Sequence, residues 1–166
     1  MAAFAAGDLD AFGQLVGRYR DAIVHFCRQM TPDWHAAEDA AQETFVGLFR
    51  CRERYTPTAP CRALLYRLAR NACIDAARRR RPAEEAPTES ADPRPPPAAT
   101  AVARAEAAAV RCALGRITAL QREVLVLAHF QGLTYTEIAG ALGVPVGTVC
   151  SRAAAGYRAL RRALGG

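Results

Sequence analysis

The chain has 166 residues, of which 51% are hydrophobic, which is enough for one medium domain or two small ones with packed cores. This composition excludes a globally disordered chain, and no apolar run reaches the roughly 18 residues that a membrane span needs. The N-terminus lacks the charged flank and apolar core of a signal peptide, so we expect a cytoplasmic protein with no membrane insertion.

The formal charge of +6 is distributed in blocks along the chain. Residues 51–81 carry nine arginines against two acids, and residues 111–166 carry seven arginines against two acids. Residues 1–50 and 82–110 are each net acidic. Two basic blocks separated by an acidic one predict two modules that each face an anionic partner.

The first module, residues 1–81, predicts three helices, because its apolar residues recur at helical spacing. Asp8 is the expected N-cap of the first helix, which Thr31-Pro32 ends, and the segment TPTAP at 56–60 breaks the chain before the third. The expected helices run from about residue 9 to 30, from near Asp33 past Phe49, and from about Cys61 to 78–81.

The segment 82–100 is rich in proline, alanine and acidic residues and has no apolar periodicity. It predicts an extended, mobile linker with polyproline II character around residues 95–97. The second module therefore spans residues 101–166.

The second module predicts a helix from about 101 to 114 and then a helix-turn-helix. Thr118 with Gln121 and Thr134 with Glu137 have the spacing of capping boxes. Gly132 and Gly143 are the expected ends of the two helices that begin with these capping boxes. Pro145 is expected in the first turn of the last helix, which continues over residues 146–164. A short helix, a glycine turn and a basic helix favour DNA binding; the alternative is an ordinary helical hairpin with a solvated basic end. The fold class is all-α, in two small helical domains.

A polar face is expected on the second helix, where Asp39, Gln42 and Glu43 lie beside Phe45 and Phe49. The pattern fits a solvated acidic face, and it also fits a docking surface for a basic protein partner.

A basic stripe is expected on the third helix, with Arg62, Tyr66, Arg70 and Asn71 near positions i, i+4 and i+8. Tyr55 and Tyr66 can stack on exposed bases while arginines hold phosphates, as in single-strand binding. A basic helix with a tyrosine anchored in the core explains the same pattern.

No motif of a nucleotide-binding loop, a zinc protease or a serine hydrolase is present, and the three histidines are far apart. We therefore expect no enzyme, no catalytic residues and no cofactor. The six cysteines form no CxxC pair, which favours reduced thiols and no metal site, with a metal or thiol switch as the lesser alternative.

Three segments stand in the order and spacing of bacterial RNA polymerase sigma factors: AEDAAQETFVGLFR, CRALLYRLARNACIDAARRRR and ITALQREVLVLAHFQGLTYTEIAGALGVPVGTVCSR. From about residue 8 to 164, except for the linker, the chain resembles the compact extracytoplasmic-function (ECF) group of the sigma-70 family. The resemblance implies a promoter-specificity subunit that has no chemistry of its own. Two alternatives remain: a stand-alone helix-turn-helix regulator, and a degenerate sigma-like protein that binds polymerase but reads DNA weakly.

The resemblance also implies partners and site residues: core RNA polymerase, promoter DNA and an anti-sigma factor. Residues 1–81 correspond to sigma region 2 and residues 101–166 to region 4, which also contacts the polymerase β flap. The residues implied to dock on the β′ clamp helices are Asp39, Gln42, Glu43 and Phe45. Those implied to hold and melt the −10 element are Tyr55, Arg62, Tyr66, Arg67, Arg70, Asn71, Arg78 and Arg79. Those implied to read the −35 element are Thr134, Thr148, Cys150, Ser151, Arg152, Ala154, Ala155 and Arg158.

The chain departs from the family pattern at several of these places. Cys61 and Leu64 stand where the family usually has an aromatic residue and a tryptophan, and Cys150 stands where it usually has lysine or arginine. Small residues fill 153–156, in the helix implied to read bases. We therefore expect a −35 contact biased toward shape and phosphates, with sequence choice resting more on the −10 helix.

Overall fold

The computed structural model describes residues 1–31, 33–52, 55, 60–80 and 101–165, and across these ranges the backbone contains helices and no strand. The expected linker, most of the TPTAP break and Pro32 lie outside the described residues. The helices are α1 (Ala2–Ala5), α2 (Leu9–Met30), α3 (Trp34–Arg50), α4 (Cys61–Arg80), α5 (Ala101–Gly115), α6 (Ala119–Leu125), α7 (Tyr135–Leu142) and α8 (Val146–Gly165). The prediction of an all-α fold is confirmed.

Two helices of the first module, α2 and α3, begin where a side chain caps them. Asp8 accepts from the backbone N–H of Ala11 at 3.1 Å, and Asp33 accepts from that of Ala36 at 3.1 Å. Each carboxylate satisfies a donor that has no partner within its own helix, so the chain fixes the starts of α2 and α3 locally.

The core of the first module lies between α2, α3 and α4. Ile23 and Phe26 of α2, Leu48 of α3 and Leu65 of α4 are fully buried there. The short helix α1, which the sequence did not predict, buries Phe4 at one end of this core. Four residues are too few to show helical periodicity, so α1 depends on this packing rather than on its own sequence.

The second module confirms both predicted capping boxes. Thr118 and Thr134 each accept from the backbone N–H three residues on, and the side chains of Gln121 and Glu137 return the bond. The helix expected to continue to Gly132 instead changes type, because Val126–Phe130 form a π-helical segment. The backbone N–H of Gln131 donates to Val126 O, five residues back, at 3.2 Å. This wider turn ends the helix beside the first module.

The helix-turn-helix is formed by α7 and α8. Gly143 ends α7 with a φ of 66°, a left-handed conformation that favours glycine, and the two helices are bent by 106° at the turn. This angle is in the range of DNA-binding helix-turn-helix units. Among the described residues no single helix is long and apolar enough to cross a membrane, although α7 and α8 taken together meet that test by length and composition.

Candidate nucleic-acid and protein interfaces

A groove of about 570 Å³ lies between α2 and α3 on the outside of the first module. Its walls include Phe12, Val16 and Val24 from α2 and Phe45, Val46 and Phe49 from α3. Val46 and Phe49 are 40% and 37% exposed, which is unusual for large apolar side chains on neighbouring turns of a helix. A partly open apolar groove of this volume fits an amphipathic helix of another protein.

Polar side chains of α3 border this groove. Gln42 lines it, and Asp39 and Glu43 are exposed on the same helix. Glu43 is paired with Arg50 at 3.2 Å, and since both side chains are largely exposed this pair contributes little to stability. Of the four residues expected to bind polymerase, Gln42 and the half-buried Phe45 line the groove, whereas Asp39 and Glu43 are exposed on the same helix outside its lining.

One side of α4 is open to solvent. Arg67, Asn71, Arg78 and Arg79 are exposed there. Arg78 also makes a long contact of 3.7 Å with Asp75, one turn away. These four residues present donors that can hold phosphate oxygens.

The opposite side of α4 is covered by the second module, and Arg62 makes the first contact. Its Nε donates to Oε1 of Glu137 at 2.9 Å, and its Nη2 donates to Oε2 at 2.7 Å. Nη2 also donates to the carbonyl of Gly132 at 3.2 Å. Because Arg62 and Thr134 donate to the Glu137 carboxylate, its pKa is lowered to about 2.

Tyr66, one turn on, is buried rather than exposed. Its ring packs edge-on against Phe26 at a centroid distance of 5.5 Å, and only 3% of the residue is exposed. Its hydroxyl donates to Oε1 of Gln131 at 2.7 Å, and Nε2 of Gln131 lies 3.3 Å from Nδ1 of His25. Burial raises the pKa of Tyr66 to about 12. Of the two interpretations of Tyr66, this arrangement matches the tyrosine anchored in the core.

Arg70 completes the covered side of α4. Its Nε pairs with Oε1 of Glu123, which is buried on α6. Burial raises the pKa of the Glu123 carboxyl above its ordinary value, and Arg70 and Arg152 of α8 offset only part of that rise. Arg152, expected at the −35 element, is half-buried beside this cluster.

The outward side of α8 carries short side chains. Cys150, Ser151, Ala154 and Arg158 are exposed, and the Ser151 hydroxyl donates to the carbonyl of Thr148 at 3.0 Å. Thr148 and Ala155 are half-buried, and Thr134 caps α7 with its side chain facing Glu137. Tyr55, expected at the −10 element, is half-buried between segments that lie outside the described residues.

Two of the four small residues at positions 153–156 of α8 face the interior. Ala153 is 1% exposed, and Gly156 is buried against α6. A Cβ placed on Gly156 would lie 3.1 Å from Cδ1 of Leu125 and 3.3 Å from Cβ of Gln121. These two positions are therefore small because α8 crosses α6 closely, and only Ala154 and the half-buried Ala155 lie toward the outward side of α8.

The partners of α4 in the second module were not predictable from the sequence. Glu137 was expected only in a capping box, and no role was expected for Glu123, Gln131 or His25. Glu123 carries a usable signal, because a single acid at the start of the apolar run VLVLA is expected to be buried and paired. Nothing in the sequence indicates which arginine pairs with it.

The cysteines and histidines form no cluster that resembles a metal site. Within the described ranges no group of three or more histidine, cysteine, aspartate or glutamate side chains is placed to hold a metal ion. Cys27 and Cys73 are buried together between α2 and α4, where their contact and their burial raise the pKa of Cys27 far above its ordinary value. Both therefore act as small apolar core residues.

Comparison with known proteins agrees with this two-module organisation. Residues 15–83 match the family model of sigma-70 region 2, and residues 107–160 match that of sigma-70 region 4. The ECF RNA polymerase sigma factor SigW of Bacillus subtilis is 32% identical over 170 residues, which covers 95% of this chain and 91% of SigW. The ECF RNA polymerase sigma factor SigM of Mycobacterium tuberculosis is 34% identical over 166 residues, which covers 99% of this chain and 83% of SigM.

Solved structures have the same fold. CnrH, in complex with the cytosolic domain of CnrY, superposes with a TM-score of 0.78 at 30% identity, over 99% of this chain and 94% of CnrH. The sigma factor RpoE of Bartonella quintana, in complex with the anti-sigma factor NepR, superposes with a TM-score of 0.79 over 93% of this chain and 97% of RpoE. At 22% identity, the likeness to RpoE concerns the fold alone.

An arginine-rich helix in one helical module and a helix-turn-helix in the other define a DNA-binding transcription protein. The chain belongs to the ECF group of the sigma-70 family. It is a sigma factor, which binds core RNA polymerase and directs it to promoters, a family not known for enzymatic activity. The predicted family and function are confirmed.

Proposed function

We propose that three surfaces divide the work of promoter recognition in this sigma factor. The groove between α2 and α3 docks on the β′ clamp helices, α4 holds the −10 element, and α8 lies in the major groove at the −35 element. The module of residues 101–166 also contacts the β flap. The observation that carries this proposal is the partly open apolar groove lined by Phe45, Phe49 and Gln42, which lies in the module that also carries the arginine helix.

The chemistry of the groove supports docking of a helix pair. Phe45, Val46 and Phe49 supply apolar area that is already half-exposed, so little is lost from the module's own core when a partner covers them. Gln42 in its lining, with Asp39 and Glu43 exposed on the same helix, supplies hydrogen-bond acceptors for a basic partner, which add orientation and specificity.

The −10 contact is assigned to the arginines and the amide of α4. Arg67, Asn71, Arg78 and Arg79 are exposed and can hold phosphates along one strand. Arg62 and Arg70 belong to the same helix and join this surface when the second module moves away, whereas the ring of Tyr66 stays packed against Phe26 in the core.

The −35 contact is assigned to α8 as a close but sparsely specific one. Ala154 and Cys150 leave room for the helix to approach the groove, while Arg158 supplies donors to phosphate and the Ser151 hydroxyl stays bonded to the carbonyl of Thr148. Without a bidentate arginine at position 150, discrimination at −35 loses about 1–3 kcal/mol per missing base contact.

The regulation and the cellular location that we propose for this chain are those of related sigma factors. CnrH, which is 30% identical, was solved with the cytosolic domain of CnrY, and this supports an anti-sigma partner for the present chain. We place the chain in the cytoplasm, where polymerase works, and assign it no catalytic residue, metal or cofactor.

Polymerase docking is tested by an Asp39→Ala/Gln42→Ala variant. Both side chains are exposed on a helix that tolerates alanine, so the module stays folded. We expect core polymerase to bind about fivefold more weakly or worse, since truncating contacts at a docking surface costs about 1 kcal/mol or more. The matched control is Asp21→Ala, which removes a fully exposed acid from α2.

Two results would contradict the assignment. Equal affinity of core polymerase for the double variant and the Asp21→Ala control would remove this surface from the docking site. A wild-type chain that fails to bind core polymerase at micromolar concentration would overturn the proposed use of the groove altogether.

A further inference from the structure

Three residues on one side of α4 are each paired with the second module. Arg62, Tyr66 and Arg70 are spaced by four, which places them on one stripe of the helix. Their partners are Glu137, Gln131 and Glu123, which come from α7, the end of the π-helical segment and α6. We call these three pairs the latch.

The latch occupies the groups that nucleic acid requires. A guanidinium that makes two parallel bonds to a carboxylate uses the geometry with which it holds a phosphate. Both oxygens of Glu137 take the donors of Arg62, and Glu123 takes the Nε of Arg70. While the latch is closed, these guanidinium donors are engaged by carboxylates of the second module, and the side chains of Arg62 and Arg70 are only 33% and 25% exposed.

We propose that the second module is an intramolecular inhibitor of the first: its Glu137, Gln131 and Glu123 compete with the DNA strand for the stripe on α4. The free chain then binds −10 DNA only in the fraction of molecules whose modules have separated. This inference rests on the proposed function, because it takes α4 to be the −10 helix.

The closed arrangement has the properties of a reversible contact. The side chains of Arg62 and Glu137 remain 33% and 20% exposed, so water and salt reach the pair. Beside the latch, a cavity of about 490 Å³ stays between α2, α5 and α8, lined by His25, Val110, Leu160 and others. An interface that leaves a cavity of this size between its protein atoms is packed less tightly than a domain core.

The polymerase groove lies elsewhere on the first module. Its α2 residues are Phe12, Val16, Arg20 and Val24, whereas α2 meets the second module at His25. Polymerase can therefore dock on the closed chain, and the latch opens when the two modules take separate positions on the promoter.

The first test measures closure itself, by the radius of gyration in small-angle X-ray scattering. Glu137→Gln removes the charge and keeps the capping box, since Gln121 performs the same capping role in this chain. Combined with Glu123→Gln, it is expected to enlarge the radius of gyration of the full chain. The control Glu106→Gln removes an exposed acid from the same module and is expected to leave the radius unchanged.

The second test measures binding of the full chain to a labelled single-stranded promoter fragment by fluorescence anisotropy. If one wild-type molecule in ten is open, opening all of them raises the apparent affinity by about tenfold. We expect a gain of this order for Glu123→Gln/Glu137→Gln. The Glu106→Gln control corrects for the general loss of negative charge.

The outcomes separate the inference from the proposed function. An unchanged radius of gyration in both Glu137→Gln and the double variant would overturn the latch. A larger radius with no gain in DNA affinity over the control would overturn the inhibition. The −10 role of α4 is tested separately by Arg67→Ala/Arg78→Ala in the holoenzyme, where these exposed residues lie outside the latch; intact promoter opening there would refute that role.

Discussion

Arg62 of α4 and Glu137 of α7, 75 residues apart in sequence, form two hydrogen bonds of 2.9 and 2.7 Å. The same carboxylate accepts from the backbone N–H of Thr134 at 2.9 Å and closes the capping box of α7. A single side chain thus joins the start of the helix-turn-helix to the arginine helix of the other module. A change at Glu137 therefore affects both the stability of α7 and the position of the modules.

Tyr66→Phe separates the two possible roles of the tyrosine. The phenylalanine ring keeps its place against Phe26, while the bond to Gln131 is lost and an amide oxygen at the interface loses its donor. We expect the radius of gyration to rise and the free energy of unfolding, from urea denaturation, to fall by about 1 kcal/mol.

DNA binding by the open chain decides between the roles. Since we assign Tyr66 to the core, Tyr66→Phe on the Glu123→Gln/Glu137→Gln background is expected to leave single-strand affinity unchanged. Because phenylalanine stacks as tyrosine does, Tyr66→Leu is the sharper comparison, and a large drop in affinity with the module still folded would show that the ring stacks on a base.

Acid pH is expected to open the modules through His25. Burial, then Arg28 and Arg111, lower the pKa of His25 from its ordinary 6.5, so the closed chain keeps the ring neutral. When the modules separate, Arg111 moves away from His25 and the ring becomes more exposed to solvent. His25 therefore binds a proton more tightly in the open chain than in the closed chain. The contribution of His25 to closure is therefore fully present above pH 6.5 and decreases as the pH falls below it.

The effect of His25 is measured as the radius of gyration at pH 7.5 and pH 5.5. Glu137 stays ionised in this window because its pKa is about 2, whereas the raised pKa of Glu123 acts in the opposite direction by favouring closure at low pH. His25→Gln keeps a polar partner beside Gln131 and removes the titration. The expansion at pH 5.5 is expected in the wild type and absent in His25→Gln; an equal response of the two chains would assign it to another group.

The local features of this fold were predictable from sequence because they depend on neighbours in the chain. Asp8, Thr118 and Thr134 cap helices through residues three positions away, and Gly143 ends α7 with a backbone conformation that favours glycine. Each signal is complete within a few residues. The helices and the helix-turn-helix could therefore be predicted from these local signals alone.

The contacts between the modules were not predictable, because they join residues far apart in the chain. The pair of Arg62 and Glu137 requires a particular placement of two modules, and no local spacing encodes it. For Tyr66 the sequence left a buried and a base-stacking role equally open, and only the position of the ring against Phe26 distinguishes them. The π-helical segment is likewise a response to tertiary packing.

Gly156→Val tests why α8 contains so many small residues. A Cβ at this position already lies 3.1 Å from Leu125, so a branched side chain pushes α8 away from α6. We expect a loss of about 1–3 kcal/mol in the free energy of unfolding. Ala154→Val on the exposed side of α8 is the control, expected to cost only the few tenths of a kcal/mol of its helix propensity.

Cys150→Arg tests whether −35 reading in this sigma factor is limited by its side chains. Cys150 is exposed on α8, and an arginine there supplies the bidentate donor that the helix lacks, worth about 1–3 kcal/mol with a matching guanine. We expect tighter binding of −35 duplex in a gel shift, with a gain that depends on the base sequence. Cys112→Arg places the same charge on the exposed side of α5, away from the helix-turn-helix, and is expected to give at most a small, sequence-independent gain. A clear loss of −35 binding by Cys150→Arg would mean that the short side chains of α8 are required for its close approach to the groove.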